Sequence, residues 1–140
     1  MDKNVPAYRR SRVYIQGHEW GSISDDFSKS HTNYFTRIIA ADCLWMPWQH
    51  RDLAQSMLNF LSLEDEARIW VIAGFHTGRA KLAGFFDVAA EEGLEVEHIW
   101  ERNVDGVERE WAKERDGGAE DVTGRMKWLV VAILRRRAYS

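Results

Sequence analysis

Apolar and polar positions change their spacing several times along the chain, and each spacing predicts an element. Arg37-Ile38-Ile39-Ala40-Ala41 is a short apolar run that meets an acid, Asp42, before Cys43-Leu44-Trp45. Such a run suits a strand buried on both faces of a helix-flanked sheet. Arg68 to Gly74 repeats the pattern, and Lys127 to Leu134 does so again before Arg135-Arg136-Arg137. From His50 onward, Leu53, Met57, Leu58 and Leu61 recur at helical spacing. Leu82, Phe86 and Ala89 mark a second helix from about Arg79 to Glu92, with Gly93 as its terminator. Leu94 to Trp100 alternates with period two and predicts a half-buried strand. Arg12 to Gln16 alternates likewise and predicts a short first strand. Residues 22–33 read as a loop, and 103–123 as a loop or a short helix around Trp111.

The order is therefore β, loop, β-α-β-α-β, polar segment, β. Strands alternating with helices predict an α/β sheet in one domain, residues 1–140, with 1–11 as a mobile lead. No crossover helix separates the last two strands, which predicts an antiparallel pair at the end of the sheet.

Composition narrows the functions. A net charge of −3 gives no support to phosphate-driven nucleic-acid binding. The single cysteine, Cys43, rules out an intrachain disulfide and fits a reducing compartment, the cytosol or nucleus. No apolar run approaches the roughly 20 residues of a membrane-spanning helix, and the opening residues carry no apolar signal core. Seven tryptophans are many for 140 residues, and they point to a pocket rim or an interface.

Asp42 stands where the first apolar strand ends, and open parallel sheets bind ligands beyond the carboxyl ends of their strands. It is either a functional acid or the cap of the following turn. Trp20, bracketed by Gly17 and Gly21, is either free to stack on a flat ligand or a lid on the core. The five histidines (18, 31, 50, 76 and 98) show no metal-ligand spacing. Gly74-Phe75-His76-Thr77-Gly78-Arg79 lies between a strand and a helix but lacks the ending of a phosphate loop, and reads as a turn. No Gly-x-Ser-x-Gly elbow or Gly-x-Gly-x-x-Gly fingerprint is present. The Arg135–Arg137 triplet reads as a solvated strand end.

Several segments taken together resemble a known family. They are Gly17-His18-Glu19-Trp20-Gly21, Ala41-Asp42-Cys43-Leu44-Trp45 with His50, and Ala73-Gly74-Phe75-His76-Thr77-Gly78. Glu97-His98-Ile99-Trp100-Glu101-Arg102 and Arg125-Met126-Lys127-Trp128 extend the match over about residues 12–136. The chain looks like the carboxyl-terminal half of the seven-strand, S-adenosylmethionine-dependent methyltransferases, in the subgroup of small protein lysine methyltransferases. Within that subgroup it is similar to the fungal branch called nicotinamide N-methyltransferase-like, which includes methylators of a translation elongation factor.

The resemblance implies a partial Rossmann-like sheet holding strands three to seven, mostly parallel, with the first two strands missing. It implies S-adenosylmethionine as cofactor, with Trp20 and Ala41 lining it, and Asp42 and Trp45 at the methyl-transfer site. It also implies an amine acceptor, either a protein such as a translation factor or a small amine, and no metal. A carboxylate beside the amine can orient it, and an aromatic wall can hold its cationic side chain. The family's Gly-rich loop and ribose-gripping acid are not in this sequence. Without the first two strands, strand 12–16 loses its neighbour and strand 36–41 becomes an edge open to self-association. Three expectations follow: a truncated homologue weakly active or inactive alone, an enzyme completed by another chain, or an interaction module derived from a methyltransferase.

Overall fold

The computed structural model describes residues 12–138, so the expected mobile lead, 1–11, lies outside the described residues. Five strands form one sheet: β1 (Arg37–Ala41), β2 (Arg68–Gly74), β3 (Leu94–Asn103), β4 (Glu108–Glu110) and β5 (Trp128–Arg136). Their order across the sheet is β1-β2-β5-β3-β4. Four helices accompany them: α1 (Asp26–Ser30), α2 (His50–Phe60), α3 (Arg79–Glu92) and α4 (Val122–Arg125). The two long helices and three of the long strands match the pattern of the sequence to within a residue or two. Helix α3 stops at Gly93, whose N–H bonds back to the Ala89 carbonyl.

The expectation of a mostly parallel sheet is corrected. Only β1 and β2 pair in parallel, while β2·β5, β5·β3 and β3·β4 are antiparallel. The reason is the insertion of β5 between β2 and β3, which separates two strands of like direction. The antiparallel pairing of β3 with β5 agrees with the missing crossover helix.

The first predicted strand is also corrected. Residues 13–19 carry no ladder, and Tyr14 is 89% exposed. Alternation alone forms no strand without a neighbour to accept its backbone bonds. Residues 22–33, expected as a loop, contain α1, whose amino end is capped by the Asp25 carboxylate accepting from the Ser28 N–H. Residues 103–123 contain β4, which the polarity of Glu108-Arg109-Glu110 conceals.

The core lies between the sheet and the two long helices. Ala40, Ile69, Val71, Ala73, Val130, Ala132 and Leu134 pack from the strands against Leu53, Met57, Leu82 and Phe85. Alternate residues point the other way. In register across that second face stand Ile39, Trp70 and Ile133, and beside them Ala41, Ile72, Val131 and Trp100. Ile39 is 71% exposed there, at the edge strand.

Candidate functional site

The carboxyl ends of β1 and β2 open into a cleft of about 400 Å³, lined by Ala41, Asp42, Ile72, Ala73, Gly74, Phe75, His76, Met126 and Leu129. Asp42 reaches it through an unusual backbone. Its φ of 56° is left-handed, a conformation few non-glycine residues adopt, and its N–H extends the ladder to the Ile72 carbonyl at 2.7 Å. The chain turns sharply at that residue, so the carboxylate stands at the mouth of the cleft and not along the strand.

Opposite it, the turn after β2 presents His76. The Gly78 N–H closes this turn on the Phe75 carbonyl at 2.9 Å, in agreement with the turn read from the sequence. His76 Nε2 lies 3.6 Å from Asp42 Oδ1, and both side chains are about half exposed. The imidazole also lies against Gly74, where an added Cβ would stand 3.1 Å from Nδ1. Apolar walls from Ile72, Leu129 and Met126 complete the cleft.

Of the residues singled out in the sequence, the structure brings Ala41 and Asp42 into this cleft. Trp45 and Trp20 do not line it. Trp45 is 47% exposed on the segment leading to α2. Trp20 packs partly buried against the core. Its segment is held on α2, where the Ser56 hydroxyl accepts from the Gly21 N–H and pairs with His18 Nε2, both at 2.8 Å. His50 is buried, with Nε2 donating to the Leu44 carbonyl at 2.8 Å, and so fixes the turn after Asp42. Burial, with Asp42 beside it, raises the Cys43 thiol and leaves it a poor nucleophile.

Beneath the cleft lies an ionic cluster that periodicity could not show. Glu101, fully buried on β3, accepts from Arg79 at 2.6 and 3.0 Å, from Arg109 at 2.8 Å, from Arg115 at 3.1 Å and from the Ala112 N–H at 3.2 Å. Arg79 also grips Glu120 with two bonds of 3.0 and 2.8 Å and lies 4.1 Å over the Phe75 ring. Burial raises the Glu101 carboxyl, but the three guanidiniums outweigh it and hold the group below the usual range. The same two carboxylates, against the cost of burial, raise the Arg79 guanidinium. This cluster fastens the 111–126 segment, which carries Met126 to the cleft, onto the start of α3. Among the described residues, no group of three or more His, Cys, Asp or Glu side chains is placed to hold a metal ion, and no helix is long and apolar enough to cross a membrane.

Comparison with known proteins gives this arrangement a context. The chain is 30% identical over 128 residues to a protein N-terminal and lysine N-methyltransferase of Gibberella zeae. The likeness is to a methyltransferase. The matched residues cover 85% of this chain and 47% of that relative, so the chain spans about half the length of the curated protein it matches. No family model matches the sequence.

For the kind of cofactor a methyltransferase uses, the cleft offers a carboxylate beside apolar walls. Trp20 does not line the cleft, where the aromatic side chains are the buried Phe75 and the half-exposed His76.

Proposed function

We propose that this chain carries the acceptor side of an S-adenosylmethionine-dependent N-methyltransferase whose substrate is a protein amine, a lysine side chain or an amino terminus. The observation that carries the reading is the left-handed Asp42 at the carboxyl end of β1, presented to a cleft with apolar walls. The relative's activity on amino termini and lysines points to the same acceptor class.

In this mechanism the bound cofactor supplies a methyl group on a sulfonium. The chain's own residues hold the amine. Asp42 accepts a hydrogen bond from the incoming nitrogen and offsets its charge, while Ile72, Leu129 and Met126 pack against the methylenes behind it. Positioning is the main contribution such a displacement needs. Trp45 stays a candidate wall for a longer acceptor, and Ala41 a contact of the cofactor. Trp20 is proposed to meet the adenosine after a shift of its loop. A translation factor is a fitting protein acceptor, and the cytosol or nucleus a fitting compartment.

These residues form half of a cofactor site, and the chain alone is weakly active or inactive. Calorimetry of S-adenosylmethionine with the purified chain, with light scattering on the same sample, tests this. Binding weaker than micromolar to a folded chain is expected. Micromolar binding to a monomer, or methyl transfer by it, would overturn the half-site.

The open sheet face favours a second reading, an interaction module. Ile39, Trp70, Ile72 and Ile133 present apolar surface there, and Trp100 Nε1 is buried without a hydrogen-bond partner. Among the described residues, the β1 edge next to it has no second strand beside it and offers backbone groups for self-association. Concentration-dependent dimerisation, in a chain that ignores the cofactor, would favour this reading.

A further inference from the structure

We propose that His76 is a catalytic residue of the same site, the group that takes the proton from the acceptor amine, and this rests on the methyltransferase reading above. The turn Gly74–Gly78 places the imidazole at the mouth of the cleft, facing Asp42. At 3.6 Å, Nε2 and Oδ1 are too far apart to share a hydrogen bond. A nitrogen entering between them can stand at hydrogen-bond distance from both and complete a triangle.

Gly74 makes room for this arrangement. A Cβ there would meet the ring 3.1 Å from Nδ1, so the glycine lets the imidazole lie back toward the end of β2. The second wall is apolar: Leu129 and Met126 come from the far side of the cleft, with Ile72 at its floor.

An amine must be neutral to act as a nucleophile, yet a lysine in water holds its proton up to about pH 10.4. The apolar walls of the cleft disfavour the charged form while the Asp42 carboxylate favours it, so a base beside the amine is needed to take the proton. The N–H bond breaks, its electron pair stays on nitrogen, and the proton passes to His76 Nε2, which in the accepting tautomer carries its own hydrogen on Nδ1. The imidazolium so formed faces the Asp42 carboxylate, which stabilises it. Solvent at the half-exposed ring then removes the proton. Asp42 is the titratable neighbour of His76 across the cleft, and the lining adds no other ionisable side chain.

The test is nuclear magnetic resonance of the full chain labelled at its histidine ring nitrogens and backbone amides. Two probes are titrated separately: Nα-acetyl-lysine methylamide and millimolar S-adenosylhomocysteine. The expected result is that the lysine probe, at constant pH, moves the His76 ring-nitrogen signals by more than their line width. The response should vanish in Asp42→Asn, while His31 and His98 stay fixed. Ring signals of His76 that do not move with the lysine probe overturn the proposal, whether or not neighbouring amides respond. The second probe reports on the parent reading separately, because shifts at Ala41 and Gly74 with S-adenosylhomocysteine leave the methyltransferase reading standing even when His76 fails. A Gly74→Ala variant gives an independent check. It should displace the His76 signals and weaken the lysine response at least threefold without unfolding the chain.

Discussion

Arg79 and Glu101 meet in the interior as a two-pronged ion pair, at 2.6 and 3.0 Å, with side chains 5% and 0% exposed. One is the first residue of α3 and the other the eighth of β3, so the pair fixes the helix start to the sheet. The turn that carries His76 ends at that helix start, and the segment that carries Met126 is tied to the same two side chains through Ala112 and Glu120. The two walls of the cleft therefore share one anchor.

Removing one partner of that pair should be costly. Glu101→Ala leaves three guanidiniums around a buried void and should destabilise the fold by about 3–5 kcal/mol, a large part of a typical 5–15 kcal/mol. Urea denaturation of the variant and the parent measures it. Exposed pairs such as Lys113–Asp87 should contribute less than about 1 kcal/mol, and serve as the comparison.

The same group sets an acid limit. The folded-state value of Glu101 is depressed, as is that of Glu120, through the Arg79 hydrogen bonds in the second case. A depressed carboxyl contributes stability that is fully present above its unfolded value, about 4.3, and is lost as pH falls through the folded value. Stability should therefore be flat in this respect near neutrality and decline below about pH 4.3. A Glu101→Gln chain, less stable at pH 7, should lose less than the parent between pH 5 and pH 3 (roughly, from the same range).

Much of this fold was legible because burial imposes a period. The α2 face of Leu53 and Met57 and the runs of β2 and β5 must match their packing, and the sequence writes that plainly. The place of Asp42 at the end of β1 was legible as well, since an acid that ends an apolar run is a local signal. Trp20 and Trp45 show the limit, because which way an aromatic at a loop turns depends on distant groups such as Ser56. The Arg79–Glu101 pair stayed hidden for the same reason. Charged residues 22 positions apart carry no sign that they will be buried together. Arg12–Gln16 failed in the opposite sense, with the right alternation and, among the described residues, no partner strand.

Gly21 should resist substitution. Its φ is 85°, and an added Cβ would stand 2.8 Å from the Asp52 carboxyl. Left-handed backbone costs an L-residue about 1–2 kcal/mol. Gly21→Ala should therefore lower stability by more than that backbone cost, and adding Asp52→Ala should recover only the part owed to the contact. Thermal melts of the single and double variants separate the two contributions.

The edge strand makes the last prediction. Ile39 is 71% exposed in the middle of β1, which among the described residues pairs with β2 on one side only. An apolar side chain at an open edge adds little to the stability of the monomer, because water already reaches it. It adds more to any contact that continues the sheet or covers the face shared with Trp70. A lysine at that position keeps the backbone and places a charge where a second strand would dock. Ile39→Lys should thus change the unfolding free energy by less than about 0.5 kcal/mol. If the chain associates through this edge, as the interaction-module reading proposes, it should also weaken that association by at least tenfold in sedimentation or light scattering. Unchanged association with an unchanged fold would move the contact away from this edge, whereas a marked loss of stability would mean that Ile39 is covered in solution by another part of the protein.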